Sequence, residues 1–82
     1  MNKVTQVVPR AGFQLELTFA DGLNAIIEFK PFLDKGIAAE LLNQDKFAQV
    51  MLEDGGGIAW PNGFDVCPEF LRETAIKRQA AA

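Results

Sequence analysis

The sequence predicts an α+β domain: one small curved antiparallel sheet of four or five strands, packed by short middle helices and a C-terminal helix. Three observations predict it. Phe13-Gln14-Leu15-Glu16-Leu17-Thr18-Phe19 alternates apolar and polar residues, the period of a half-buried strand. Asp21-Gly22 then joins it to a second patterned run, Leu23 to Phe29, as a hairpin turn does. Further on, Ile58-Ala59-Trp60-Pro61-Asn62-Gly63-Phe64-Asp65-Val66-Cys67-Pro68-Glu69-Phe70-Leu71 reads as a short apolar strand, a tight turn and the opening of a helix. The 82 residues suit a single domain, and no linker, repeat or low-complexity segment divides them. The expected core spans about residues 4–78, with Gln79 to Ala82 as a frayed tail.

Val4 to Val8 is a β-branched run. Pro9 lacks an amide donor, so it should end the pairing of that run or hold it at a sheet edge. Arg10-Ala11-Gly12 turns the chain into the alternating strand, whose inner face carries Phe13, Leu15, Leu17 and Phe19. The partner strand places Leu23, Ala25, Ile27 and Phe29 inward and leaves Ile26 outward between Asn24 and Glu28. A lone exposed Ile is ordinary on a surface, and it is also how a contact face would look. Pro31 closes this strand near Phe29 or Lys30.

Pro31-Phe32-Leu33-Asp34 predicts a single helical turn stopped by Gly36. Ile37-Ala38-Ala39-Glu40-Leu41-Leu42 predicts a short helix, with Ile37 and Leu41 four apart on one face. Asp45 is expected to cap another turn through Lys46-Phe47-Ala48. Gln49 to Glu53 reads as a strand, with Val50 and Leu52 alternating, and Asp54-Gly55-Gly56-Gly57 links it to Ile58-Ala59-Trp60 as a hairpin. Asn62-Gly63 tolerates positive φ, so the chain can reverse just after Pro61. The last helix opens at Pro68, where a missing N–H has no intrahelical partner to lose. Cys67 takes the cap position, and Phe70, Leu71, Thr74 and the Lys77 stem follow at helical spacing. Glu69 and Lys77-Arg78 suit the helix dipole. Trp60 brings the largest apolar surface, with Phe64, Phe70 and Leu71 near enough in sequence to pack on it. The expected core is Phe13, Leu15, Leu17, Phe19, Ile27, Phe29, Leu41, Phe47, Val50, Leu52, Trp60 and Leu71.

Composition narrows the chemistry. Apolar residues make up 49% of the chain, which argues for a packed core. Eight basic against eleven acidic residues leave a net charge of −3, which repels nucleic acid and disfavours anionic membrane surfaces. No apolar run is long enough to span a bilayer, and Met1-Asn2-Lys3-Val4-Thr5 does not open like a signal peptide. Cys67 is the only cysteine, so an internal disulfide is impossible and a reducing cytoplasm is the expected setting. The chain has no histidine, tyrosine or serine, so neither a Ser-His nor a Cys-His nucleophile pair can be built. No catalytic residue, metal site or cofactor is therefore expected.

Weaker candidates have structural explanations beside the functional ones. Gly55-Gly56-Gly57 has a strand after it and no nearby Lys, so a mobile hairpin loop explains it better than a phosphate cradle. The aspartates at 21, 34, 45, 54 and 65 fall in separate turns and lack calcium-loop spacing. Asp65, just before a helix start, either pins the turn or contacts a ligand or partner beside Trp60. Cys67 at a helix start favours thiolate, yet no histidine or second cysteine assists it.

Phe19-Ala20-Asp21-Gly22, Pro31-Phe32-Leu33-Asp34-Lys35-Gly36, Asp45-Lys46-Phe47-Ala48-Gln49-Val50 and above all the W-P-N-G-x-D-x-x-P-E block from Trp60 to Glu69 carry a resemblance. The chain resembles a small bacterial family, domain of unknown function 2442, from roughly Val4 to Thr74. The resemblance implies a compact antiparallel-sheet domain with short helices. Some members carry an appended helix-turn-helix domain, and some stand beside small proteins in presumed toxin–antitoxin pairs. It supplies no catalytic residues. The chain departs from the family where an aspartate-led V-D-L-S-P turn would fall, which here reads Glu28-Phe29-Lys30-Pro31. No DNA-binding appendage is expected after the motif's helix, so direct nucleic-acid binding is not expected either.

The expected function is a non-catalytic protein-binding module, an antitoxin-like partner of a small co-encoded protein. Its contact residues would come from the motif: Trp60, Pro61, Asn62, Gly63, Asp65, Pro68 and Glu69. Two alternatives stay open. One is a small ligand-binding or enzymatic domain using Trp60, Asp65 and Glu69. The other is a structural homodimer formed through sheet edges or the Ile26 face.

Overall fold

The computed structural model describes residues 2–81, and side chains over 2–77. The chain forms two antiparallel sheets of three strands each, so the fold is α+β but not the single sheet of four or five strands expected. The first sheet has the order β1-β2-β3, with β1 at Val4–Arg10, β2 at Gln14–Phe19 and β3 at Asn24–Glu28. The second has the order β4-β5-β6, with β4 at Met51–Leu52, β5 at Ile58–Ala59 and β6 at Asp65–Val66. Val4 N–H donates to the Gly56 carbonyl at 2.8 Å and links the two.

The strong alternation of β2 survives intact: Leu15, Leu17 and Phe19 are buried, opposite Ala25 and Ile27 of β3. Phe13 is different. It sits in the turn with φ 61, an uncommon conformation for a bulky residue, and is only half-buried against Phe47. Pro9 does not end β1; it pairs with Leu15 inside an edge strand, where its missing donor is harmless.

The middle segment departs from expectation because its turns are tighter than α-helical. Lys30–Phe32 is a single 3-10 turn that ends before Gly36, and Gly36–Leu41 is a 3-10 helix rather than an α-helix. In a 3-10 helix residues three apart share a face. Ala38 and Leu41 therefore point into the core while Ile37 is exposed, and the expected Ile37–Leu41 stripe does not form. The cap of α1 (Gln44–Phe47) is Asn43, not Asp45: its carboxamide oxygen accepts from the amides of Asp45 at 3.0 Å and Lys46 at 3.2 Å. The strand expected over Gln49 to Glu53 shrinks to β4, and Leu52 lies on the surface rather than in the core. Val50 is half-buried.

Helix α2, Pro68–Ala81, opens at Pro68 as expected and packs on β3 through Leu71, Thr74 and Ala75. The expected fraying of Gln79 to Ala82 concerns side chains, and for Ala82 a backbone, that lie outside the described residues. Arg72 lies over the Phe19 ring, 5.2 Å from its centre, and donates to both oxygens of Asp21 at 2.8 and 2.6 Å. That fork fastens the β2–β3 turn to the helix. The core fills the space between the inner face of the first sheet, α1, α2 and β5, and adds Val4, Ala25, Leu33, Ala38, Ile58 and Ala75 to the residues expected there.

Candidate functional site

The Trp60 to Glu69 block folds as a hairpin, not as a turn leading straight into a helix. Trp60 N–H donates to the Phe64 carbonyl at 2.9 Å, and Gly63 N–H returns to the Trp60 carbonyl at 3.0 Å. Gly63 has φ 97, a conformation that strains any side-chain-bearing residue. Asp65 and Val66 then form β6, paired with Ala59 and Ile58. A two-residue strand bounded by Pro61 and Pro68 leaves no alternation to read, and this is why the sequence hides it.

Trp60 is 2% exposed. Its indole N–H donates to the Phe47 carbonyl at 2.8 Å, and its ring lies 5.8 Å from Phe47, 5.5 Å from Phe64 and 5.9 Å from Phe29. The expected packing on Phe64 is present. Phe70 instead meets Phe32 edge-to-face at 5.3 Å and stays partly exposed. Asn62 uses both ends of its carboxamide. The oxygen accepts from Phe64 N–H at 3.0 Å, while the nitrogen donates to the Ile37 carbonyl at 3.0 Å and to Glu40 Oε1 at 3.3 Å. Trp60 and Asn62 thus bolt the hairpin to α1 and to the 3-10 helix respectively.

The remaining motif residues divide between surface and packing. Pro61, Gly63, Asp65 and Glu69 are exposed, and Pro68 is half-buried at the start of α2. Asp65 stands on β6 opposite Ala59, and because Trp60 is buried while Asp65 and Glu69 are exposed, the three do not form one solvent-facing cluster. Cys67 is exposed. Among the described residues, no three His, Cys, Asp or Glu side chains converge as a metal centre would require, and no helix is long and apolar enough to cross a membrane.

The triple glycine lies in the β4–β5 hairpin connection, as expected, and two of its three glycines are packed. Gly56 and Gly57 are buried, and a Cβ built on Gly57 would fall 2.4 Å from the Val66 carbonyl oxygen. Gly56 and Gly57 are there because Lys3 and β6, respectively, approach too closely for a side chain, whereas Gly55 faces open space.

A cleft of about 290 Å³ opens where the 3-10 helix, α1 and the hairpin turn meet. Glu40, Leu41, Lys46, Gln49, Pro61 and Asn62 line it. Lys46 and Gln49 share the turn that closes α1, where the Gln49 N–H donates to the Lys46 carbonyl at 3.1 Å, but nothing in the local sequence connects them to Glu40 on the 3-10 helix. The outer face of the first sheet is equally specific. Register places Val8, Glu16 and Ile26 in one cross-strand row, and Val8 and Ile26 are 40% and 52% exposed. Between them Glu16 accepts from Arg10 and from Asn24, at 2.9 Å from Arg10 Nε and 3.2 Å from Asn24 Nδ2. Those bonds, Arg10 first and Asn24 next, hold its carboxyl below the usual range.

Comparison with known proteins gives one result: the family model described as "Protein of unknown function (DUF2442)" matches residues 4–77. No curated protein and no solved structure matches.

Proposed function

The chain belongs to the DUF2442 family of proteins of unknown function, and from its own surface we propose that it is a non-catalytic protein-binding module. Its contact surface is the open face of the β1-β2-β3 sheet. The observation that carries this reading is the Val8–Glu16–Ile26 row. Two aliphatic side chains stand in solvent on a rigid sheet, with a fully hydrogen-bonded carboxylate between them. Interfaces combine such apolar anchors with satisfied polar groups. The net charge of −3 favours a basic partner by steering. A small co-encoded protein, to which this chain would be the antitoxin-like half, fits that description. The absence of serine, histidine and tyrosine supports binding over catalysis, and a single exposed Cys67 suits a reducing cytoplasm.

Co-expression with the product of the adjacent gene tests the reading. A stable complex is expected on gel filtration. The Val8→Lys/Ile26→Lys double variant, whose new charges face Glu16 and so keep the sheet, should weaken it by about 30-fold or more. Absence of a complex, or one indifferent to the double variant, overturns the proposal. Light scattering separates the rival outcome, a homodimer through the same face, which the double variant would turn into a monomer.

A further inference from the structure

We infer that the cleft between the 3-10 helix, α1 and the Pro61-Asn62 turn binds a free aliphatic amino acid as its zwitterion. This site is distinct from the sheet face above, and it stands on its own observations. Glu40 and Lys46 carry opposite charges into one cleft, yet they do not neutralise each other. The ion pairs among the described residues are Arg10–Glu16, Arg72–Asp21 and Lys77–Glu73, and neither Glu40 nor Lys46 joins one. Two opposite charges held apart on a concave surface form a dipole, and its complement is a molecule with the charges reversed.

The zwitterion's ammonium group faces the Glu40 carboxylate and its carboxylate faces the Lys46 ammonium. Glu40 is positioned for this by Asn62 Nδ2, which holds one carboxylate oxygen at 3.3 Å and leaves the other free. Gln49, whose side chain makes no hydrogen bond within the described residues, adds a donor and an acceptor at the rim. Leu41 and Pro61 give the cleft an apolar floor that fits an aliphatic side chain. The volume, about 290 Å³, lies at the lower limit for small-molecule sites and excludes a drug-sized ligand.

The experiment titrates the full chain with L-leucine, followed by amide shifts in a nitrogen-15 correlation spectrum. N-acetyl-L-leucine and L-leucine amide serve as probes that keep only one charge. Saturable shifts are expected at the Asn62 side-chain amide and at the backbone amides of Glu40, Lys46 and Gln49, with Kd on the order of 0.1–1 mM. Each capped probe should bind at least about tenfold more weakly, since each loses one charge-assisted contact. Lys46→Met should abolish the preference for L-leucine over its amide, and Glu40→Gln the preference over the acetylated form. Both positions are exposed, so the circular dichroism spectrum should be unchanged. Shifts that fail to saturate, shifts elsewhere, or capped probes that bind as well as L-leucine would each overturn the inference.

Discussion

Trp60 carries more of the structure than any other side chain, because three elements meet on it. Its ring touches Phe29 of the first sheet's end, Phe47 of α1 and Phe64 of the hairpin, and its N–H closes on the Phe47 carbonyl. Trp60→Ala should lower the unfolding free energy by about 3–5 kcal/mol in urea titration. Trp60→Phe separates packing from hydrogen bonding. The Phe47 carbonyl keeps Val50 N–H at 3.3 Å, so this loss should stay near about 1–2 kcal/mol. Asn62 is the second fastening. Asn62→Ala removes three hydrogen bonds and should cost about 1–3 kcal/mol, measured the same way, with the helix content unchanged. Size and position made Trp60 legible as a core residue. Nothing local announced that Asn62 reaches back 25 residues to Ile37, because only folding brings those residues together.

At the scale of elements, legibility followed length. The six residues of β2 carry three full periods of alternation, and their buried face is the one expected. β4, β5 and β6 have two residues each, too few for a period, so in sequence β6 reads as part of a turn and β4 as a longer strand. The Gly36–Leu41 segment shows a different failure: its composition permits an α-helix, and the tighter 3-10 winding rotates Ile37 out of the core. The β4–β5 connection gives a sharp test of packing against backbone freedom. A Cβ on Gly55 meets open space at an ordinary φ, whereas one on Gly57 meets the Val66 carbonyl at 2.4 Å. Gly55→Ala should be neutral or stabilising by up to about 1 kcal/mol. Gly57→Ala should be destabilising by about 1–3 kcal/mol, since the β5–β6 ladder must shift. Thermal melts of the pair would reveal any reversal of this order.

For the whole molecule, the Arg72–Asp21 fork joins positions 51 residues apart and gives stability a pH dependence. The Arg72 hydrogen bonds, and then the Leu23 amide, lower the Asp21 pKa from the ordinary 3.8 to about 2. A carboxyl whose folded pKa is depressed stabilises the fold fully above its unfolded pKa, and that contribution disappears as pH falls from about 4 through about 2. Glu16, lowered by Arg10, adds a slope of the same sign. Urea midpoints for the parent should therefore drop between about pH 5 and pH 2, and Asp21→Asn should show a shallower fall. The same scale separates what the chain declared from what folding decided. Alternation, turn residues and a proline-led helix start were enough to fix an α+β fold, the buried faces of β2 and β3, and the start of α2, because each rests on neighbours in sequence. The division into two sheets, the fastening by Asn62, the cleft and the Val8–Ile26 row were settled only in three dimensions. Each depends on register or contact between distant segments, and a periodicity read along one chain carries no record of which segments will meet.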